Sequence, residues 1–410
     1  MGDIKKDITD LIGDKSLIED MNFEVSNIIV YTKNRNFFLD NINIIKNVVN
    51  TIKKRVEVRL DPSLLQDEKE TEKDVRSIIP EEADLREVWF DRDRSLMTLE
   101  ATRLEIINKR GNGIIDKIKE KTGWSIQLAR SPIIKSDIVR AVRGMMYNNS
   151  KFRRTLLNSI GEKIYYSKYN VDENYWVRFT ALGGFRQVGR SALLVQTPIS
   201  RVLLDVGIDV SNTREPFPRI DAPEMDLSKL DAVVVTHSHL DHCGFLPILY
   251  KYGYKGPVYS TFPTRDVMTL LHLDYLNLSN KTNEKALFGI DDIKEMLKYS
   301  IGLSYDEVTD ITPDIRLTLH NAGHILGSAM IHLNIGNGFH NLLYTGDFKY
   351  NKSKTLNRAE NQFDRVETLI MESTYGGDND TQPSREEAEQ FFFDIVKKTV
   401  SKKGKVLVPV

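Results

Sequence analysis

The sequence predicts an α/β protein: a layered α/β domain over residues 175–410, preceded by two small α+β units at 1–65 and 66–145 and a connector at 146–174. Three observations carry this expectation. At 410 residues the chain exceeds what one ordinary core fills. From Tyr175 onward short apolar strands follow one another with helical stretches between them, the pattern of a sheet covered by helices. Finally, the apolar run Asp231-Ala232-Val233-Val234-Val235 leads straight into Thr236-His237-Ser238-His239-Leu240-Asp241-His242-Cys243-Gly244. A buried strand ending in three imidazoles and a carboxylate aims metal-ligating groups into one pocket at its carboxyl end.

The elements follow in order. The first unit reads as helix, strand, helix, strand. Ile28-Ile29-Val30-Tyr31 is short and β-branched, Ile42 to Lys54 has helical spacing through Ile45, Val48, Val49 and Ile52, and Val56 to Leu60 alternates as a half-buried strand. Asp61-Pro62 breaks the pattern. The second unit opens with an acidic helix, Asp67 to Ile79, closed by Pro80. A hairpin follows, Glu87 to Phe90 and Leu96 to Ala101, with Asp91 to Ser95 at its turn. Then come Leu104-Glu105-Ile106-Ile107, a Gly-rich turn and the helix Ile114 to Lys121, ending at Thr122-Gly123-Trp124. Residues 146–174 are basic and polar with few signals, hence a connector.

In the third domain strands are expected at Val177 to Leu182, Ala192 to Gln196, Arg201 to Asp205, Ile315 to Leu319, Ala329 to Leu333, Asn341 to Tyr344 and Thr368 to Met371. A helix is expected at Asp291 to Tyr299, and Ser384-Arg385-Glu386-Glu387 opens another at 385–401 with a capping box. The closing run Lys405 to Val410 reads as a strand.

Composition narrows the class. Hydrophobic residues make up 40% and charged residues 28%, as in globular proteins. No apolar run reaches bilayer length and the amino terminus lacks a signal-peptide core, so no membrane partner is expected. Cys243 is the only cysteine, which fits a reducing cytoplasm and a packing role for that thiol. The net charge of -1 hides an asymmetry: residues 61–100 carry 6 Lys/Arg against 13 Asp/Glu, and residues 101–165 carry 14 against 5. A local excess of nine positive charges predicts a polyanion-binding surface in one place, rather than over the whole molecule.

Four further polar groups sit at carboxyl ends of apolar strands: Asp205, His324 in the turn Asn321 to Ser328, Asp347 in Thr345-Gly346-Asp347, and Glu372-Ser373-Thr374-Tyr375-Gly376. The order Asp205, His237-x-His239-x-Asp241-His242, His324, Asp347 resembles the first four motifs of the metallo-β-lactamase superfamily, and residues 175–410 resemble its nucleic-acid-processing β-CASP branch. The fold so implied is the αββα sandwich, incomplete here. The resemblance implies that His237, His239 and His324 hold one Zn²⁺, that Asp241 and His242 hold a second, and that Asp347 bridges them. Asp205 then orients the ligand loop. Hydroxide from a bridging water attacks the phosphodiester, with Asp241 as proton acceptor; Asp241, Asp347 and Asp205 are therefore the catalytic candidates.

In that family the leaving-group donor and the last ligand of the second zinc are histidines beyond the β-CASP insertion. The sequence ends at Val410, so the expectation is a chain truncated before that domain, its second zinc short of a ligand. His272, His320, His332 and His340 are the other histidines, and their strand or helix contexts suggest packing. The second unit resembles a KH domain and the first a degenerate KH-like partner. The Gly-x-x-Gly loop by which KH domains grip single-stranded RNA corresponds to Asn108-Lys109-Arg110-Gly111, with Asn108 at the first glycine position. The anchors Ile79-Pro80-Glu81-Glu82-Ala83 and Lys121-Thr122-Gly123-Trp124, with the zinc motifs, resemble the archaeal CPSF-type KH-domain ribonucleases. This implies endonucleolytic cleavage of single-stranded RNA in mRNA 3′-end formation and transcription termination, with the transcription machinery as partner. Homodimer contacts in that family lie largely beyond residue 410, and a downstream β-CASP-bearing chain is a further expected partner. Two other classes stay open: an RNA-binding fragment or half of a split enzyme without turnover of its own, and a small-molecule metallohydrolase, against which the KH-like third speaks.

Overall fold

The computed structural model describes residues 3–109, 111, 113–211, 214–282 and 285–408. They fall into two compact units, Met1–Met371 and Glu372–Val410. Within the first, the amino-terminal third is one topology used twice. The first copy runs through helix Ile4–Ile12, strands Asp20–Glu24 and Asn27–Thr32, helices Arg35–Leu39 and Ile42–Ile52, and strand Val56–Leu60. The second runs through helix Glu68–Ile78, strands Leu85–Asp91 and Leu96–Ala101, helices Leu104–Ile107 and Ile114–Thr122, and strand Ser125–Arg130. In each sheet the central strand pairs antiparallel with the first and parallel with the last. Each copy has its own core, around Ile8, Phe23, Ile28 and Val48 in the first and Val75, Leu99, Ile118 and Trp124 in the second.

The expected connector is a correction. Residues Asp137–Asn148 and Ser150–Tyr166 are helices, the second with Arg153, Leu157, Gly161 and Ile164 buried. Those positions share one helical face, but an arginine and a glycine occupy two of them, which dilutes the apolar periodicity that would have revealed it. The helix lies on strand Asp20–Glu24: Asn158 accepts the Phe23 amide at 3.0 Å, and the Leu157 carbonyl accepts the Val25 amide at 3.2 Å. A Cβ on Gly161 would stand 2.1 Å from Phe23 Cβ. Gly161→Ala is therefore expected to destabilise the protein by about 1–3 kcal/mol, the cost of overpacking a close contact, measured as a lower urea midpoint with unchanged slope.

The remainder of this unit is two facing sheets. Strands Ser300–Leu303, Val258–Thr261, Ala232–Val234 and Arg201–Leu204 are parallel neighbours, continued antiparallel by Ala192–Gln196 and Arg178–Gly183. The second sheet orders Thr309–Asp310, Ile315–Asn321, Ala329–Ile335, His340–Tyr344 and Thr368–Ile370. Val195, Val202, Leu204 and Val234 of the first sheet meet Leu317, Ile331, Leu333 and Leu342 of the second. The outer face of the first sheet, with Leu194, Leu203 and Val233, is covered by helices Leu246–Lys251, Phe262–Thr282 and Ile290–Tyr299. Against the second sheet lie Phe348, Ala359, Phe363 and Val366, none of them in a helix. Among the described residues of this unit the sandwich is thus three-layered.

The unit Glu372–Val410 contains helix Arg385–Ser401, opened by the capping box of Ser384 and Glu387. The expected closing strand is a second correction: residues 404–408 form no ladder, and Pro409 and Val410 lie outside the described residues. A strand exists only by pairing with a neighbour, and apolar content alone does not supply one. Among the described residues no helix is long and apolar enough to cross a membrane.

Candidate metal centre

Every predicted site residue of the third domain sits on a connection leaving the carboxyl end of a strand. Asp205 follows Arg201–Leu204, Thr236 to His242 follow Ala232–Val234, His324 follows Ile315–Asn321, and Asp347 follows His340–Tyr344. Parallel strands bring their outgoing turns to one edge, so residues far apart in sequence converge there. The connections approach so closely that a Cβ on Gly207 would lie 1.7 Å from the Asp241 carbonyl oxygen; glycine is what lets the Asp205 turn pass under the histidine loop.

Asp205 is fully buried and adopts φ +56°, a left-handed conformation unusual for a non-glycine residue. Its carboxylate accepts the Thr236 amide at 2.8 Å, the Thr236 hydroxyl at 2.8 Å and His242 Nδ1 at 2.7 Å. Because the Thr236 hydroxyl proton is committed to Asp205, its oxygen accepts from His237 Nδ1 at 2.9 Å. The network therefore assigns the proton to Nδ1 of His237 and of His242, and turns both Nε2 atoms toward the centre.

Two donor sets result. One ligand atom from each of His237, His239, His324 and Asp347 lies within 4.8 Å of the others. His239 Nδ1 is 3.1 Å from His237 Nε2 and 3.2 Å from His324 Nε2, while Asp347 Oδ2 is 3.7 and 3.6 Å from the Nε2 atoms of His237 and His324. The other oxygen of Asp347 is 3.3 Å from His242 Nε2, which is 3.8 Å from Asp241 Oδ2. One carboxylate thus spans both sets.

Burial and neighbouring charge act differently on each group of the cluster. Burial, reinforced by the neighbouring imidazoles, holds His237 well below the usual histidine range and keeps it neutral. Burial acts the same way on His242, but Asp205 and Asp347 outweigh it and raise this imidazole to about 10. Burial of Asp347 is in turn overcome by His242 and the other imidazoles, which keep the carboxyl below its ordinary value. His237 is sealed from solvent, whereas Asp241 and Asp347 are each 31% exposed, so the centre has an open side.

The remaining histidines stand elsewhere. His272 is buried with Nε2 on the Cys243 carbonyl at 3.0 Å, and burial lowers it to about 4. His320 pairs with Asp306, His332 with the Arg365 carbonyl and His340 with Thr368. The Cys243 thiol donates to the Ser238 carbonyl, and burial pushes its pKa far up. Two positioning hydroxyls escaped the sequence reading: Thr236, and Ser328, which accepts the amides of His324 and Ile325. For Thr236 a signal existed, its place immediately before His237.

In the second α+β unit the glycine loop joins helices Leu104–Ile107 and Ile114–Thr122. Asn108, at the first glycine position of the expected loop, caps the first of these helices. Its amide bonds the Leu104 carbonyl at 2.9 Å, extending the helix at φ −92°, and the left-handed positions are instead Gly111 at φ +84° and Gly113 at φ +62°. Lys109 is exposed; Arg110 and Asn112 lie outside the described residues. The matching connection of the first copy, Asp40-Asn41, has no glycine.

Comparison with known proteins gives two domain matches. Residues 194–374 match the metallo-beta-lactamase superfamily domain, and residues 1–65 match the KH domain of transcription termination factor FttA. The chain is 45% identical over 411 residues to transcription termination factor FttA of Methanothermobacter thermautotrophicus, covering 100% of this chain and 64% of that protein. It is 43% identical over 407 residues to FttA of Methanocaldococcus jannaschii, covering 99% and 64%. It is 39% identical over 409 residues to FttA of a Lokiarchaeum species, again covering 99% and 64%. The chain spans about 64% of the length of these curated relatives.

Proposed function

Given that the chain belongs to the archaeal CPSF-type family of KH-bearing metallo-β-lactamase proteins, we propose that it is a zinc-dependent endoribonuclease of single-stranded RNA, acting in transcription termination and RNA 3′-end formation. The observation that carries this reading is Asp347, whose two oxygens face two separate donor sets 3.3 to 3.7 Å away. His237, His239, His324 and Asp347 would hold one Zn²⁺; Asp347, Asp241 and His242 would hold a second. The donors fit that ion: imidazole nitrogen and carboxylate oxygen are what zinc accepts, and Thr236 and Asp205 orient His237 and His242 so that the Nε2 of each faces the centre.

When bound, such a pair supplies Lewis acidity that lowers the pKa of a water and neutralises charge on a scissile phosphate. The rest is done by side chains. Asp241, on the open side, accepts the proton released as the nucleophile forms. Asp205 holds His242 through a buried bond and keeps it from swinging away. RNA reaches the site over the basic stretch 101–165, where the backbone of Gly111 and Gly113 and the Lys109 side chain approach phosphates.

A second reading, RNA binding without turnover, is favoured by the three-membered second donor set among the described residues. Incubation with zinc and end-labelled U-rich RNA separates the two. The nuclease reading expects internal cleavage products that vanish with a chelator. RNA retained on the protein but intact, with zinc bound, would leave the binding reading.

A further inference from the structure

Between the second α+β unit and the metal centre runs a line of buried charges that no step above uses. Arg143, on helix Asp137–Asn148, has a side chain only 13% exposed. Its Nη1 lies 2.8 Å from Glu100 Oε1 and donates to the Arg130 carbonyl at 3.1 Å. Glu100 and Arg130 belong to the two strands that bracket the glycine loop in sequence. The other side of the same guanidinium, Nε and Nη2, donates to Asp266 Oδ2 at 3.2 and 2.9 Å. Asp266 stands in the second turn of helix Phe262–Thr282, 6% exposed, and its second oxygen takes Nε and Nη2 of Arg265 at 2.9 and 2.7 Å.

The start of that helix is fastened to the turn that carries His324. The hydroxyls of Thr261 and Thr264 both donate to the Gly327 carbonyl, at 2.7 and 2.9 Å. Gly327 is followed by Ser328, whose hydroxyl receives the amides of His324 and Ile325. Glu100, Asp266, Thr261, Thr264, Gly327 and Ser328 are buried, and the Arg143 side chain is 13% exposed. A planar guanidinium held on both edges fixes the relative position of its partners more tightly than a flexible ammonium can.

We propose that Arg143 is a positioning residue for His324. Its bridge from Glu100 to Asp266 locks helix Phe262–Thr282 against the unit that carries the glycine loop, and the first turn of the helix, through Thr264 and Gly327, sets the ring that faces Asp347. The seat for RNA and one wall of the metal centre thereby move as a single body. The inference rests on the metal-centre reading given above.

The test is zinc affinity, measured on the full chain by competition with a chromophoric chelator, with thermal unfolding of the metal-free protein alongside. Arg143→Met and Thr264→Val are expected to weaken zinc binding by about 10-fold or more, the scale on which outer partners of ligands act. Thr264→Ser, which keeps the hydroxyl, restores wild-type affinity. Arg153→Met removes another buried arginine, one that bonds the Lys298 and Ser300 carbonyls and lies off this line; it is expected to lower the unfolding temperature and leave zinc affinity unchanged. If Arg143→Met does not fold, Thr264→Val against Thr264→Ser decides. Wild-type zinc affinity in both Arg143→Met and Thr264→Val, with lowered stability only, overturns the proposal and leaves Arg143 a packing residue. A wild-type chain that takes up no zinc overturns the metal-centre reading instead, and the positioning role with it.

Discussion

Asp347→Ala is expected to cut RNA cleavage by roughly 10⁴-fold, the scale of removing one member of a catalytic unit, and to lower the zinc content of the protein. Among the described residues of the centre only Asp347 faces both donor sets: Oδ2 faces His237 and His324, and Oδ1 faces His242. Loss of either oxygen thus opens one set, and loss of both opens the pair. The effect is chemical rather than structural. Asp347 is 31% exposed on the open side of the site, and the sheet beneath it is held by Leu342, Leu343 and Tyr344. The variant should accordingly keep the unfolding temperature of the metal-free wild type within a few degrees. Single-turnover cleavage and metal content by atomic emission check both halves. Cleavage within 10-fold of wild type would remove Asp347 from the chemistry.

The largest effect on stability is expected away from the centre, at Glu24→Gln. Glu24 ends a strand of the first copy, and its carboxylate is gripped by two guanidinium groups. Arg59 approaches at 2.6 and 3.1 Å from within the same unit, and Arg94 at 2.6 and 2.6 Å from the hairpin turn of the second copy. The side chains are 12%, 4% and 14% exposed, so the carboxylate staples the two copies in a place that water scarcely reaches. Removing its charge leaves two guanidiniums facing each other with Glu57 and Asp91 as their remaining ion-pair partners. Breaking a buried pair from one side costs about 3–5 kcal/mol, read as a fall in urea stability at neutral pH.

The same residue sets a pH dependence. Burial opposes ionisation of Glu24, but Arg59 and Arg94 outweigh it and hold the carboxyl far below the ordinary range. A group whose folded pKa is depressed contributes stability above its unfolded value, about 4.3 for glutamate, and loses it as pH falls toward the folded value. The stability gap between wild type and Glu24→Gln should therefore narrow as pH drops below about 4.3. A gap that stays constant over that range would mean that the carboxylate's charge is not what the site uses.

The metal-centre residues were legible because their signal is local and chemical. His237 to His242 crowd into six positions, and Asp205, His324 and Asp347 each close an apolar run that betrays a strand. What stayed hidden was either diluted or distant. The helix Ser150–Tyr166 hides its buried face behind Arg153 and Gly161, whose partners, the Ser300 carbonyl and Phe23, are far along the chain. Strand Asp20–Glu24 turns only Met21 and Phe23 inward, too few for an alternating pattern to stand out. The duplication of the amino-terminal third is a property of topology, and the glycine loop of one copy meets a bare Asp40-Asn41 in the other. In the sequence Arg143 is one of 14 Lys/Arg in residues 101–165; only the fold brings Glu100 and Asp266 to either side of it.

Asp347 is proposed to be one carboxylate shared between two metal-binding sets. Anomalous diffraction at the zinc absorption edge from zinc-soaked crystals of this chain tests it most directly. One peak is expected within His237, His239, His324 and Asp347 and a second beside Asp347, Asp241 and His242. Peaks elsewhere on the molecule, or none at this cluster with zinc present in excess, would contradict it.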